Sequence, residues 1–301
     1  MCIRDRLLII GCGLIGSSLL RATINKKLSK KILVYEKSKK YKKQIKKISS
    51  KIILLEKLDE NIADVDFVIL STPMSVYEKI IPSLNKYLSS KTLITDIGST
   101  KENVSKIKKT KLKKTLKWIM SHPIAGSEVS GPQYGSKNLF LNKWCIILND
   151  KDKSNQKKLT RFWVKIGSKI ITMEPNQHDK IFSMTSHLPH LIAYNLIKTA
   201  LDFQKKYGKN IIQFSAGGLR DFSRTAASNE IMWRDIFFNN KKNMVQVIDL
   251  FIRNLKEFKT NIIKSQNSKI LKKLKNSKKV RRQIIELKQD ISKPDFGRDN
   301  N

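Results

Sequence analysis

"RLLIIGCGLIGSSLLRATI", Arg6 to Ile24, decides how this chain is read. Leu7 to Ile10 form an apolar run bounded by glycine, as in a strand buried on both faces. A glycine turn and an amphipathic helical pattern follow. Gly11, Gly13 and Gly16 make G-x-G-x-x-G: the first permits a tight turn, the second lets backbone approach a pyrophosphate, and the third lets helix and strand pack closely. Leu14 and Ile15, between the second and third glycines, belong to the same candidate cofactor turn. A bare motif of this kind is weak. Here both flanking elements are correct, and Glu36 lies 25 positions after Gly11, at the end of the next strand in "KILVYEKS". A carboxylate there can receive the adenosine ribose hydroxyls of NAD and repels the extra phosphate of NADP. Lys37, Lys39 and Lys40 add positive charge that opposes this selectivity. NAD is the expected cofactor; the alternative is a glycine-rich turn in some other Rossmann-like protein.

The same alternation continues outward. "ADVDFVILSTP", "KTLITDIGST", "TLKWIMSHP" and "WCIILND" are further short apolar runs separated by helical lengths, the pattern of a parallel sheet covered by helices. From His178 onward the periodicity is helical, with leucine, isoleucine, phenylalanine and methionine recurring on apolar faces. The expected fold class is therefore α/β: an N-terminal Rossmann-like, mostly parallel sheet over residues 5–169, followed by an all-helical dimerisation and substrate-binding domain over 170–275. A basic C-terminal tail over 276–301 ends in "SKPDFGRDNN", expected to fray. The opening "MCIRDR" carries no recognisable cap or address, and an incorrect gene start would explain it. The long apolar helical faces predict a homodimer.

Composition bounds the function. Hydrophobic residues make up 40% of the 301, enough for a folded globule. No apolar run approaches the roughly 20 residues that cross a bilayer, and the N-terminus lacks a convincing signal peptide; the expectation is a cytoplasmic protein without a membrane partner. Cys2, Cys12 and Cys145 are scattered, implying neither zinc nor a disulfide scaffold. The 61 basic against 25 acidic residues give a formal charge of +36, which by itself favours polyanions. The lysines are spread along most of the chain, however, as on a generally solvated surface. Lys259 to Ile285 contains no acidic residue, yet has no CxxC finger, aromatic array or reading helix. No specific nucleic-acid partner is expected.

Several residues can carry chemistry. Ser71, Thr72 and Pro73 of "LSTP", and Ser99 and Thr100 of "DIGSTK", follow strands and so face the ligand crevice of a doubly wound sheet. Ordinary helix capping is the alternative for each hydroxyl. His122, in "SHPIAGSEVSGP", follows another apparent strand and precedes a glycine-containing loop. A histidine there can accept a proton from an alcohol while hydride leaves the adjacent carbon, or it is simply a satisfied loop residue. Ser99 could hydrogen-bond and orient it. His187 and His190 in "SHLPH" are three apart, compatible with one helical face, although Pro189 makes a regular helix doubtful. A two-histidine metal site would lack a third ligand, so no metal is expected. Arg220 and Arg224 would share a helical face and could bind a dianion, with Asp221 able to neutralise part of their charge.

"GCGLIGSS", "DIGSTK", "SHPIAGSEVSGP", "SHLPH" and "GGLRDFSRTAASNEIMW" together resemble the prephenate and arogenate dehydrogenase family, including its broad cyclohexadienyl dehydrogenases, over roughly Leu7 to Lys259. The resemblance implies oxidative decarboxylation in tyrosine biosynthesis. By carry-over, His122 matches the histidine that hydrogen-bonds the substrate's ring hydroxyl, with Ser99 its partner near the nicotinamide. His190 and Arg224 match the substrate pocket, Arg224 as the leading carboxylate anchor, with His187 and Arg220 beside them. Trp233 resembles a pocket residue that can approach the neighbouring site of a dimer. "GLRDFSRTA" departs mildly from many relatives, which carry an aromatic before RD and FTR afterward, but retains Arg224. These motifs recognise ring chemistry shared by prephenate and arogenate. Prephenate or dual use is the first expectation and arogenate preference the second. Another hydroxy-acid dehydrogenase, or a basic nucleic-acid-binding protein, would be distinguished by the absence of carbon dioxide release or of NAD reduction.

Overall fold

A computed structural model describes residues 5–208, 210–287 and 289. Cys2 and "SKPDFGRDNN" lie outside these residues, as does most of "MCIRDR". Six strands, β1 (Arg6–Ile10), β2 (Lys31–Tyr35), β3 (Ile52–Leu55), β4 (Phe67–Leu70), β5 (Leu93–Asp96) and β6 (Lys117–Trp118), form an all-parallel sheet in the order β3-β2-β1-β4-β5-β6. That order reverses direction between β1 and β4, and the crevice at such a switch point is where doubly wound sheets bind dinucleotides. The helices between strands are α1 (Leu14–Asn25), α2 (Lys39–Lys46), α3 (Tyr77–Tyr87) and α4 (Glu102–Lys111).

Strand residues alternate between two buried layers. Leu8, Ile10, Leu33, Val68, Leu70 and Ile94 face one, and Leu7, Ile9, Val34, Phe67, Ile69 and Leu93 the other. Helices cover both faces, so both parities of each strand must be apolar.

Three further strands, β7 (Ser121–Pro123), β8 (Trp144–Leu148) and β9 (Lys169–Met173), form a separate sheet, with α5 (Lys153–Ile166) between the last two. β7 runs antiparallel to β8, pairing His122 with Ile146, and β8 parallel to β9. Two details differ from the sequence expectation. His122 sits within a strand rather than in the loop after one, and the last strand extends to Met173, past the expected boundary at 169. β7 has only three residues, and its pairing with β8 is non-local, which periodicity cannot register.

Beyond β9 the chain is helical: α6 (Pro175–Phe182), α7 (Leu188–Tyr207), α8 (Gly217–Ala226), α9 (Glu230–Asn239), α10 (Lys241–Ile263) and α11 (Asn267–Glu286). A wide π turn over Ser183–His187 joins α6 to α7. Pro189 has no N–H for the helical ladder and its ring crowds the preceding turn. The regular helix gives way to this wide turn just before Pro189, which stands in the first turn of α7, in keeping with the doubt the proline raised about a regular helix there.

One compact unit extends to Met244 and includes α6 to α9; a second begins at Val245. Within the first, Asp179 on α6 accepts the backbone N–H groups of Lys101 and Glu102 at 2.7 and 2.8 Å, capping α4. Asp235 on α9 accepts from the Ser75 hydroxyl, just after β4. These ties hold the helices against the crevice loops of the sheet. In the second unit Lys273 of α11 pairs with Glu257 of α10 at 2.9 Å and lies over the Phe258 ring. α11 runs through residue 276, where a tail was expected to begin. The stretch from Asn267 to Glu286 has neither glycine nor proline, so nothing in it stops the helix.

Candidate active site

The glycine turn behaves as its spacing requires. Gly11 has φ +85° and a Cβ there would lie 2.7 Å from the Ser71 carbonyl oxygen; a Cβ on Gly16 would meet the Gly11 carbonyl at 2.3 Å. Gly13 has nothing within 4 Å of its Cβ position. The first and third glycines are therefore demanded by the protein itself, and the second leaves open space. α1 begins there without a side-chain cap and without an acidic residue in its first turn, whereas α2, α5 and α9 are capped by Ser38, Asp152 and Asn229. Its free N–H groups and dipole suit an anion. Leu14 and Ile15 open the helix, and the Gly126 backbone passes over Ile15, whose Cδ1 would lie 3.9 Å from a Cβ there.

Glu36 turns back onto the turn: one carboxylate oxygen accepts the Cys12 N–H at 2.9 Å and the other the Ser38 N–H at 2.9 Å. Burial, then the Glu36 charge, pushes the Cys12 thiol far above its usual range, so it is not a nucleophile. Ser71 Oγ and Thr72 Oγ1 are buried with no hydrogen-bond partner among the described residues, and neither caps a helix. Pro73 beside them is exposed. Uncapped helix, open Gly13, fixed carboxylate and orphaned hydroxyls together fit a dinucleotide.

All four histidines of the chain gather nearby. His122 is buried, with Nδ1 2.8 Å from His178 Nε2, and His178 Nδ1 is 2.8 Å from Asp179 Oδ1. Among the described residues the Ser99 hydroxyl makes no hydrogen bond to His122; the expected Ser99 contact is replaced by His178. Ser99 instead presents its backbone toward His187. Burial, followed by the neighbouring His178, Lys101 and His187, holds His122 well below the ordinary imidazole value. It is neutral at physiological pH, as a proton acceptor must be.

His187 is also buried, and burial lowers it to about 4. Asn240 Nδ2 donates to His187 Nδ1 at 3.1 Å and to the Asp179 carbonyl, while Asn243 donates to Asn240 Oδ1. With Nδ1 accepting, His187 carries its proton on Nε2, which has no regular hydrogen bond among the described residues. His190 donates from Nδ1 to the Ser186 carbonyl at 2.9 Å and stacks on Trp233, ring centroids 3.7 Å apart. Burial and the nearby Arg224 charge lower its pKa, against the Ser186 bond. Trp233 thus packs on a histidine of its own chain. Arg224 is exposed and reaches Glu128 at 3.5 Å, in the loop after β7; Arg220 is exposed as well. Among the described residues no three His, Cys, Asp or Glu side chains group as metal ligands.

Periodicity and motif spacing missed the supports behind His122: His178, Asp179, Asn240 and the Asp96–Lys101 pair. Asp96 and Lys101 were visible only as the ends of "DIGSTK". The signal for His178 was scarcity, since a lysine-rich chain with four histidines keeps few of them for surface duty.

A switch-point crevice with a dinucleotide turn at one side and a buried neutral imidazole at the other is built for hydride chemistry, and the class is a Rossmann-type oxidoreductase. The chain belongs to the prephenate dehydrogenase family. Residues 20–172 match the family's nucleotide-binding domain and residues 174–276 its dimerization domain. It is 32% identical to a cyclohexadienyl dehydrogenase of Zymomonas mobilis over 93% of this chain and 96% of that one. It is 28% identical to a prephenate dehydrogenase of Bacillus subtilis, covering 92% and 76%. The solved prephenate dehydrogenase of Aquifex aeolicus in complex with hydroxyphenyl propionate and NAD+ superposes with a TM-score of 0.85 at 31% identity, over 93% of this chain and 98% of that one.

Proposed function

We propose that this chain oxidatively decarboxylates prephenate with NAD to 4-hydroxyphenylpyruvate, carbon dioxide and NADH in tyrosine biosynthesis, and accepts arogenate in the same pocket. The observation that carries the proposal is the buried, neutral His122, held by His178 at Nδ1 so that only Nε2 remains for a substrate hydroxyl. NAD, when bound, supplies the hydride acceptor; the Aquifex relative binds it, and Glu36 at the end of β2 favours it over NADP.

His122 Nε2 accepts the proton of the ring hydroxyl as its carbon is oxidised. Loss of the ring carboxylate then yields an aromatic phenol, and aromatisation drives the reaction. Arg224, exposed beside His190, is the cation available to a substrate carboxylate. Glu128 is its contact in the free protein and would give way to the stronger anion pair. His190 and Trp233 form a stacked wall that a six-membered ring can pack against, and His187 turns its Nε2–H toward the Ser99 backbone without a regular hydrogen bond. Ser99, Ser71 and Thr72 line the cofactor side.

The likeness to the Zymomonas cyclohexadienyl dehydrogenase supports the acceptance of both substrates. A homodimer is proposed from the helical region, where Ile252, Leu255, Ile262 and Ile263 of α10 are exposed. The cytoplasm is the proposed location. The decisive assay measures kinetics with prephenate and arogenate, each with NAD and NADP, and identifies products. Turnover of prephenate with NAD to 4-hydroxyphenylpyruvate is the expected result, and NAD reduction without carbon dioxide release would replace this function by a simple hydroxy-acid oxidation.

A further inference from the structure

His178 and Asp179 stand in line behind His122, both without solvent exposure. The hydrogen bonds fix the proton on each ring in turn. Asp179 Oδ1 accepts the Lys101 N–H at 2.7 Å and Oδ2 the Glu102 N–H at 2.8 Å, so its carboxylate serves as an acceptor. The remaining partner of Oδ1 is His178 Nδ1 at 2.8 Å, which must therefore carry a proton. A neutral imidazole has one N–H, so His178 Nε2 is a lone pair. His122 Nδ1, 2.8 Å from it, must donate. That spends the single proton of a neutral His122 and leaves its Nε2 as a lone pair.

The surroundings enforce neutrality. Burial, reinforced by the Lys101 charge, holds His178 far below the ordinary imidazole range. Lys101 is itself fixed by Asp96 and by the carbonyl of Ser121, the residue before His122. Phe182 packs against both rings, its centroid 5.2 Å from that of His122 and 4.6 Å from that of His178, and so holds their planes.

We propose that His178 and Asp179 are positioning residues that lock His122 in its Nδ1–H tautomer and thereby aim the Nε2 lone pair at the substrate. The role rests on His122 being the proton acceptor proposed above. Without the line, an isolated imidazole places its proton on either nitrogen, and the Nε2–H form cannot accept from a hydroxyl.

The test compares wild type, His178→Gln and His178→Phe as full chains. Glutamine can place an amide oxygen near the former Nε2 and accept the His122 proton; phenylalanine cannot. Nitrogen-15 NMR of histidine-labelled protein, assigned with His122→Asn, should show His122 protonated at Nδ1 in wild type and in His178→Gln. In His178→Phe it should move toward Nε2–H. The kcat of His178→Phe should fall about 100-fold, with the KM values for prephenate and NAD within about threefold, and glutamine should restore it to within about tenfold of wild type. An Nε2-protonated His122 in wild type overturns the proposal even if His178→Phe fails to fold. Equal kcat losses in the glutamine and phenylalanine variants overturn it too. If wild type turns over neither prephenate nor arogenate, the proposed function fails instead, and the wild-type and glutamine NMR spectra still decide the tautomer.

Discussion

Lys101 Nζ lies 2.5 Å from Asp96 Oδ2, neither side chain having any solvent exposure, and it donates also to the Ser121 carbonyl at 2.6 Å. Asp96 is further satisfied by Trp118 Nε1 at 3.0 Å and the Gly98 N–H at 3.0 Å. The pair ties the end of β5 to the start of β7 and so places His122. Removing one partner of a buried pair strands the other charge. Lys101→Met should cost about 3–5 kcal/mol, read as a lower urea midpoint; a loss below about 1 kcal/mol would show that Asp96 is satisfied without it.

His122→Asn should depress kcat about 100- to 10,000-fold, the range of a lost general base, with little change in KM. Near-normal kcat across the pH range would remove His122 from the chemistry. Arg224→Ala should behave oppositely, raising KM for prephenate more than tenfold with a smaller effect on kcat. An unchanged KM would mean that this exposed guanidinium does not anchor a carboxylate.

The glycines separate folding from cofactor binding. Gly16→Ala puts a methyl 2.3 Å from the Gly11 carbonyl and should destabilise the fold. Gly13→Ala meets no protein atom within 4 Å, so its melting temperature should match wild type while its Kd for NAD rises at least tenfold. Calorimetry on the two variants checks this; unchanged NAD affinity in Gly13→Ala would place the pyrophosphate elsewhere.

Acid should destabilise the protein earlier than carboxylate titration alone. Burial holds His122, His178 and His187 below the ordinary value of 6.5, His187 at about 4. As pH falls below 6.5 the unfolded chain takes up protons that the native state refuses, so stability present above 6.5 is lost toward 4. For His187 alone the shift corresponds to on the order of 3 kcal/mol when fully developed. Asp179, raised by burial, gives the opposite slope, one group against three. Urea midpoints at pH 7.5, 6 and 5 should decline; a flat profile would mean that these rings protonate in the folded state.

Multi-angle light scattering should report twice the chain mass. Leu255, Ile262 and Ile263 of α10 are 57, 65 and 71% exposed in the single chain, an apolar face that a second copy would cover. A monomer mass maintained across concentration would exclude the homodimer.

What the sequence by itself determined was local. The glycine spacing, the short continuous apolar runs of the strands and Glu36 at the end of β2 are consequences of local backbone geometry, and they carried both the Rossmann half and its cofactor turn. The family motifs located His122, His190 and Arg224. Only the tertiary structure decided what stands behind the His122 imidazole. His178 lies 56 positions from His122, and Asp179 lies 78 from Lys101. Neither separation matches any helical or strand period. Ser99, closer in sequence, was the reasonable partner on spacing alone, but hydrogen bonds are short and directional, and the docking of α6 on the start of α4 and on β7 brings His178 to Nδ1 instead. The second sheet followed the same rule, because the pairing of His122 with Ile146 exists only once distant strands meet.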